Sequence, residues 1–268
     1  PPLTLDQLTA LRALLADRVA ADPAGAWGSS LLTGDGFPVE IGVVTADDRL
    51  RYTVEPGGHR LDPARRLALA GRLVEQLGGV PADTHEALPR RYGAWVGARH
   101  GPDGDTYKLY LEAERGRLRM VACTPVTGEV ERYHRIPDLY PIDLPRVLGA
   151  ADLESRATEL LDLLENAYGH RFPGRLPGDS VGVSYTESAT GEPLSVTLFF
   201  FARVFWGSDD RIRRCLTRLA PELGWDDGRY RALTAHLAGS AGRLTRHGVL
   251  GVTVAARGRP ALSIGVRP

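Results

Sequence analysis

The feature that most constrains this sequence is a hairpin pattern that recurs five times. Each copy consists of two runs of alternating apolar and polar residues separated by a short turn, which is the period-two pattern of β-strands. The paired runs are 37–44 with 49–55, 92–99 with 106–113, 117–124 with 129–135, 181–187 with 194–203, and 249–257 with 260–267. The pattern therefore predicts five hairpins and ten antiparallel strands.

Helices are predicted between the hairpins. Apolar residues recur at helical spacing in 4–21, 61–77 and 152–168, and the stretch 208–243 predicts two more helices separated near its "PELGWDDG" segment. The sequence thus belongs to the α+β class, and we expect residues 1–268 to form a single domain of repeated helix and hairpin units.

One face of the predicted strands is small and polar. In the last strand, Leu262 and Ile264 point to one side, while Ser263 and Gly265 point to the other. An open sheet with helices on one face would leave such a polar side in water. A ten-stranded sheet can instead close into a barrel around a polar interior, and this closed barrel ringed by helices is the predicted fold.

Composition excludes several classes of function. The 33 basic residues balance the 33 acidic ones, so no net charge attracts nucleic acid or an anionic membrane. No apolar run is long enough to span a bilayer and no signal-peptide pattern is present, so we expect a cytoplasmic protein. The two cysteines predict neither a disulfide framework nor a zinc site.

We expect no metal site from the sequence. The segments "DDRLR" and "DDRIR" lack the second carboxylate of an aspartate-rich site for magnesium diphosphate. We therefore expect that magnesium is not essential and that no cofactor is required.

Lys108 is the only lysine among the 33 basic residues, and the other 32 are arginine. It could be a lysine retained by chance in a sequence that otherwise uses arginine. The alternative is that position 108 needs a compact ammonium that a planar guanidinium cannot replace.

Glu40 and Arg51 interrupt the first hairpin with opposite charges. Glu40 lies in the middle of the first apolar run, and Arg51 follows it eleven residues later on the returning strand. A cross-strand ion pair would explain the two residues without any function, with a contribution of about 0.2–1 kcal/mol. The alternative is that both side chains face a ligand.

Three short motifs resemble the ABBA (αββα) aromatic prenyltransferases, in particular the indole branch of the dimethylallyltryptophan synthase type. The motifs are "PVE" with Glu40, "RYTVEP" with Arg51, and "YKLYL" with Lys108 and Tyr110. The resemblance implies that Glu40 is the base facing an aromatic acceptor, that Arg51 and Lys108 bind diphosphate, and that Tyr110 shields an allylic carbocation. This chain is similar to a shortened and divergent member of that family.

The later strands depart from the family pattern, because the chain has no "RxKxY" triplet. Candidate replacements on the expected interior face are arginines for the diphosphate and aromatic side chains for the pocket. The arginines are Arg119, Arg203, Arg257 and Arg267, and the aromatic residues are Phe199, Phe201 and Tyr185.

The resemblance implies transfer of a dimethylallyl or longer group from a prenyl diphosphate, as co-substrate, to an electron-rich arene such as an indole in secondary metabolism. Partners would be these two small molecules, with no nucleic acid and no membrane, and the protein would be a monomer or homodimer. Two alternatives stay open. The barrel could be a cyclase or a carrier of a hydrophobic molecule that has lost diphosphate ionisation, or a structural barrel without a ligand.

Overall fold

A computed structural model of the chain describes residue 15 and residues 30, 32–33, 36–56, 61–76, 94–100, 104–115, 118–124, 127–240, 242 and 245–267. The predicted helix over 4–21 lies outside the described residues except at Leu15. That residue is helical and packs against an apolar cluster of the first strands.

Ten antiparallel strands form one closed barrel, as predicted, with helices around it. The strands are β1 (Val39–Val44), β2 (Asp47–Val54), β3 (Ala94–His100), β4 (Thr106–Arg115), β5 (Leu118–Thr124), β6 (Glu129–Pro137), β7 (Ser180–Glu187), β8 (Pro193–Phe201), β9 (His247–Ala255) and β10 (Ala261–Val266). Strands consecutive in sequence are neighbours throughout, and β10 lies beside β1 to close the ring.

The described helices fall between the hairpins. They are α1 (Pro63–Gln76), α2 (Leu144–Gly149), α3 (Ala157–Tyr168), α4 (Ala202–Trp206), α5 (Asp209–Leu223) and α6 (Gly228–Leu233), with short 3-10 helices at Pro141–Asp143, Glu154–Arg156 and Ala235–Leu237. The helices predicted over 61–77, 152–168 and 208–243 are present, although the one predicted over 152–168 begins five residues later, at Ala157, after a 3-10 turn.

The chain divides into two compact units. The first comprises Pro1–Gly42, Arg49–Arg132 and Arg267–Pro268, and the second comprises Val43–Asp48 and Tyr133–Val266. The expectation of a single domain over 1–268 stays a prediction.

In the first unit, the apolar faces of β1–β4 are buried. Val96 and Leu109 pack with Ala70 of α1, and Val54 packs with Tyr52 and Tyr107 in a neighbouring cluster. Because side chains alternate along a strand, the residues between these apolar ones point to the opposite face of the sheet.

In the second unit, helices cover the apolar face of β7–β10. Leu160 and Leu164 of α3 and Ile212 of α5 belong to the same buried cluster as the strand residues, which are Val183, Val196, Leu198, Leu250, Val252, Val254, Leu262 and Ile264. The helix layer is tied together by Trp206, whose indole Nε1 donates to the carbonyl oxygen of Ala167 at 2.7 Å. Burial of this apolar area is the main favourable contribution to stability of this unit.

The segment "FFFARVFW" differs from its predicted structure. The predicted strand over 194–203 covers its first five residues, but β8 ends at Phe201 and α4 begins at Ala202. Ala202, Phe205 and Trp206 are all buried, at the i, i+3 and i+4 spacing of a helical face rather than the alternate spacing of a strand. The residues therefore carry a helical signal that the strand-like aromatic run obscured.

Within the described part of the chain, no helix is both long and apolar enough to cross a membrane.

Candidate functional site

The polar face of β2, β3 and β4 brings the predicted diphosphate residues together. Arg51 lies opposite Arg99 in the pairing of β2 with β3, and Lys108 lies opposite Gly97 in the pairing of β3 with β4. Paired residues project to the same face, so Arg51, Arg99 and Lys108 share the side opposite the apolar Leu109. In a closed barrel whose apolar face packs helices, that side is the interior.

Arg51 and Arg99 place two guanidinium groups next to each other. Like charges directly opposite on neighbouring strands destabilise a sheet unless an anion compensates them. Arg99 is half-buried, and it has no ion-pair partner among the residues that the structure describes. The pair is therefore suited to bind an anionic ligand.

Lys108 forms an ion pair with Glu131 of β6. The side chain of Lys108 is 23% exposed and that of Glu131 is 8% exposed. Burial by itself would lower the pKa of Lys108, but the charge of Glu131, the Tyr110 phenol and the hydrogen bond to Glu131 together raise it, so the ammonium stays protonated. Arg99 lies close enough to oppose this shift.

Tyr110 lies beside this charged cluster. The Nζ atom of Lys108 is 5.7 Å from the centroid of the Tyr110 ring, within the range of a cation–π contact. Burial raises the pKa of Tyr110, and the positive charges of Lys108, Arg99 and Arg51 partly oppose the rise. The phenol is therefore neutral, with an aromatic ring next to the cations.

Gly97 makes room for the Tyr110 ring. A Cβ atom at Gly97 would lie 2.9 Å from Cε2 of Tyr110, closer than real Cβ contacts allow. The absence of a side chain at position 97 thus lets the ring cross β3 beside Lys108.

Glu40 lies on the polar face of β1, on the same side of the strand as Gly42. A Cβ at Gly42 would lie 3.2 Å from Cβ of Arg51, so this face of β1 adjoins Arg51. Burial raises the pKa of Glu40 from its ordinary value of 4.5 to about 7. No cation or hydrogen-bond donor among the described residues pairs with its carboxyl group. The ion pair with Arg51 that would have explained both residues structurally is therefore not formed, and Glu40 can exchange a proton near neutral pH.

The polar face of the second unit is built from small residues around one aromatic pair. The Phe199 and Tyr133 rings lie 5.4 Å apart between centroids. Phe199 packs over Gly182 and Gly251, since a Cβ at these glycines would lie 3.1 Å from Cβ and 3.3 Å from Cε1 of Phe199, respectively. Phe199 therefore lies on the predicted polar face.

Three of the four arginines predicted to replace the missing triplet are exposed to solvent. Arg119 is exposed, and it lies on the same face of β5 as the buried Val121, which is the apolar face. Arg203 is exposed in α4, because the strand has already ended, and Arg257 is exposed in the turn after β9. The guanidinium of Arg267 lies 4.7 Å from the ring of Phe37, which packs in an apolar cluster. Arg119, Arg203 and Arg257 are therefore exposed to solvent rather than directed to an interior face, and Arg267 contacts Phe37.

Two of the aromatic residues predicted to line the pocket lie in different surroundings. Tyr185 points to the helix layer, where its hydroxyl donates to the carbonyl oxygen of Val147 at 3.2 Å. Phe201 is 62% exposed at the end of β8. Tyr185 lies on the apolar face of β7, together with Val183. Phe201 lies at the boundary between β8 and α4.

Sequence reasoning missed Arg99 and the role of Glu131 as partner of Lys108. Arg99 lies on the same face of β3 as Gly97 and Trp95, and this spacing was a signal for its place on the polar face. Its place opposite Arg51 depends on strand register, and nothing in the sequence specified that register.

Solved structures similar to this chain include prenyltransferases. The PriB complex with product diphosphate has a TM-score of 0.75 at 17% identity over 99% of this chain and 91% of its own. The 5-dimethylallyl tryptophan synthase from Streptomyces coelicolor, in complex with DMASPP and Trp, has a TM-score of 0.75 at 15% identity over 98% and 89%. AnaPT from Neosartorya fischeri has a TM-score of 0.60 at 14% identity over 93% and 82%.

This chain has the ABBA prenyltransferase fold. No protein-family model matches the sequence, and no curated protein matches it significantly. The likeness thus lies in the ABBA barrel, at 14–17% sequence identity.

Proposed function

We propose that the protein is an aromatic prenyltransferase, which transfers an allylic group from a prenyl diphosphate to an electron-rich arene such as an indole. The observation that carries the proposal is the group of three cations, Arg51, Arg99 and Lys108, beside the ring of Tyr110. The similar structures support it, because the Streptomyces coelicolor enzyme is described in complex with DMASPP and Trp.

The proposed reaction assigns one task to each group. Arg51, Arg99 and Lys108 hold the diphosphate, so that the allylic C–O bond can break with its electron pair on the leaving group. The π-face of Tyr110 stabilises the allylic cation, and a carbon of the arene forms the new bond to it. Glu40 then accepts the proton that the arene loses.

The proposal also assigns the barrel interior a role. An allylic cation reacts with water, so productive transfer requires a site from which water is excluded. The rise in the pKa of Glu40 is caused by removal of its carboxyl group from water, which is consistent with this requirement.

Donor binding provides the direct test. Calorimetry should detect binding of dimethylallyl, geranyl or farnesyl diphosphate, and Lys108→Ala should weaken it about 10- to 100-fold, the scale of one lost charge-assisted contact. Lys108→Arg should also impair turnover, because a planar guanidinium does not match a site shaped for a point charge. Arg203→Ala is the matched control, since it removes an exposed cation from α4 and should leave binding unchanged.

A second candidate function is favoured by the ion pair between Lys108 and Glu131, which leaves less positive charge for a diphosphate. In that case the barrel is a cyclase or a carrier, and Lys108 contacts a carboxylate, phenolate or enolate of another ligand. Wild-type protein that binds none of the three allylic diphosphates would support this second function and refute the first.

We further propose that transfer does not require magnesium, because arginine and lysine supply the positive charge that a divalent ion would give the leaving group. Product formation should be the same in excess EDTA as in excess magnesium, measured by mass spectrometry of a reaction with dimethylallyl diphosphate and an indole. Loss of product in EDTA, with recovery on adding magnesium, would refute this.

A further inference from the structure

The sole lysine of the chain is held by a carboxylate. Lys108 lies on β4 and Glu131 on β6, so their ion pair spans the intervening strand β5. On the same face, β5 carries the small residue Ala122 opposite Tyr110. Glu131 is the less exposed partner, with 8% of its side chain accessible.

This carboxylate competes with any anionic ligand for the ammonium of Lys108. The charged and titratable groups on this face are Lys108, Tyr110 and Glu112 from β4, with Arg99 on β3 and Arg51 on β2 nearby. On the same face β5 carries Met120 and Ala122, which do not titrate, and β6 itself carries Glu129 and Tyr133. This face therefore carries three cations, and the Glu131 carboxylate binds one of them.

Building on the proposed function, we propose that Glu131 is the resident counter-anion of Lys108, which the diphosphate of the donor displaces from the ammonium, with uptake of one proton by Glu131. Before the donor binds, Glu131 neutralises Lys108 and holds its ammonium in position. A buried carboxylate that loses its ammonium partner favours the protonated form, so the proton comes from solvent as the diphosphate takes its place. Glu131 thus sets how strongly an anion must interact with the cluster in order to bind.

Proton uptake on ligand binding provides the first readout. Calorimetric titration with dimethylallyl thiolodiphosphate in two buffers of different ionisation enthalpy gives the number of protons exchanged. We expect wild-type protein to take up about one proton more per bound ligand than Glu131→Gln, which has no carboxylate to protonate. The comparison between the two proteins cancels protonation of the ligand itself.

Affinity provides the second readout. Glu131→Gln should bind inorganic diphosphate and the thiolodiphosphate about tenfold more tightly than wild type, because the ligand no longer has to displace a carboxylate. Glu129→Gln is the matched control. It removes the same charge two residues away on β6, and no ion pair to it occurs among the described residues, so neither affinity nor proton uptake should change.

The outcomes separate this inference from the proposed function. If wild-type protein binds the ligands but Glu131→Gln binds no more tightly and exchanges the same number of protons, Glu131 is not displaced and the inference is wrong, while the prenyltransferase proposal stands. If neither protein binds either ligand, the proposed function itself is refuted.

Discussion

At the scale of single residues, Glu40 and Glu131 show how two carboxylates of one unit acquire opposite properties. Glu131 forms an ion pair with the ammonium of Lys108, whereas burial raises the pKa of Glu40 to about 7. A carboxylate with a pKa near neutrality can both accept a proton and release it again, which suits it to general base catalysis. Glu40 is therefore the better candidate base.

Replacing Glu40 by Gln should lower turnover by about 10²- to 10⁴-fold, because the amide keeps the shape of the side chain but accepts no proton. In the wild type, activity should rise with pH through about 7, as the carboxyl group ionises. The variant should lose this pH dependence, measured as initial rate with dimethylallyl diphosphate and an indole. Equal rates for the two proteins would show that Glu40 is not the base.

The same substitution makes a prediction about stability. Because folding raises the pKa of Glu40, its contribution is fully present below its ordinary value of 4.5 and is lost as pH rises through about 7. Glu40→Gln should therefore be more stable than wild type at alkaline pH, by at most about 3 kcal/mol, and the difference should vanish in acid. Denaturant titrations at the two pH values measure this.

Residue identity allowed part of the site to be predicted. Glu40, Arg51, Lys108 and Tyr110 carry chemistry that can be read from residue type, spacing and strand parity. Arg119 and Arg203 were placed wrongly because a one-residue change of parity, or the end of a strand, moves a side chain to the other face or out of the sheet. Arg99 required the register of β2 with β3, which hydrophobic alternation alone does not specify.

At the scale of secondary-structure elements, the pairing of β3 with β4 places the Tyr110 ring over Gly97, which has no side chain to obstruct it. Trp95 lies opposite Tyr110 and Gly97 opposite Lys108, and the Tyr110 ring leans across Gly97. The proposed site thus depends on a glycine that itself contributes no chemistry.

Gly97→Ala should displace the Tyr110 ring, since the new Cβ would lie 2.9 Å from Cε2 of Tyr110. We expect turnover to fall by roughly 10- to 100-fold, the scale of a displaced reacting group, and a larger share of donor to be lost to hydrolysis because the cation is less shielded. Mass spectrometry of the free prenyl alcohol and the prenylated arene measures that share.

The matched control for this prediction is Gly71→Ala in α1, where a Cβ would meet no atom within 4 Å. It should leave turnover and hydrolysis unchanged and stabilise the helix by about 1 kcal/mol. If Gly97→Ala behaves like this control, Tyr110 is not positioned by Gly97.

At the scale of the whole molecule, the ten-stranded ring was predictable from sequence because closure explains a repeated polar face. The junction from β8 to α4 was not, since an aromatic run such as "FFFARVFW" satisfies both strand and helix patterns until packing selects one. Closure itself rests on β1 and β10, which are far apart in sequence. Thr45 and Leu262 lie at this seam and belong to the same compact unit.

Thr45 provides a test of that seam, because it bonds Leu262 twice. The Thr45 amide donates to the Leu262 carbonyl oxygen at 2.9 Å, and the Leu262 amide donates to Oγ1 of Thr45 at 2.9 Å. Thr45→Val keeps the shape of the side chain but removes the acceptor, which leaves the Leu262 amide without its partner. We expect a loss of about 1–3 kcal/mol in the free energy of unfolding, measured by denaturant titration. Thr45→Ser retains the hydroxyl and should lose less, so equal losses in the two variants would show that the hydroxyl does not stabilise the closure of the barrel.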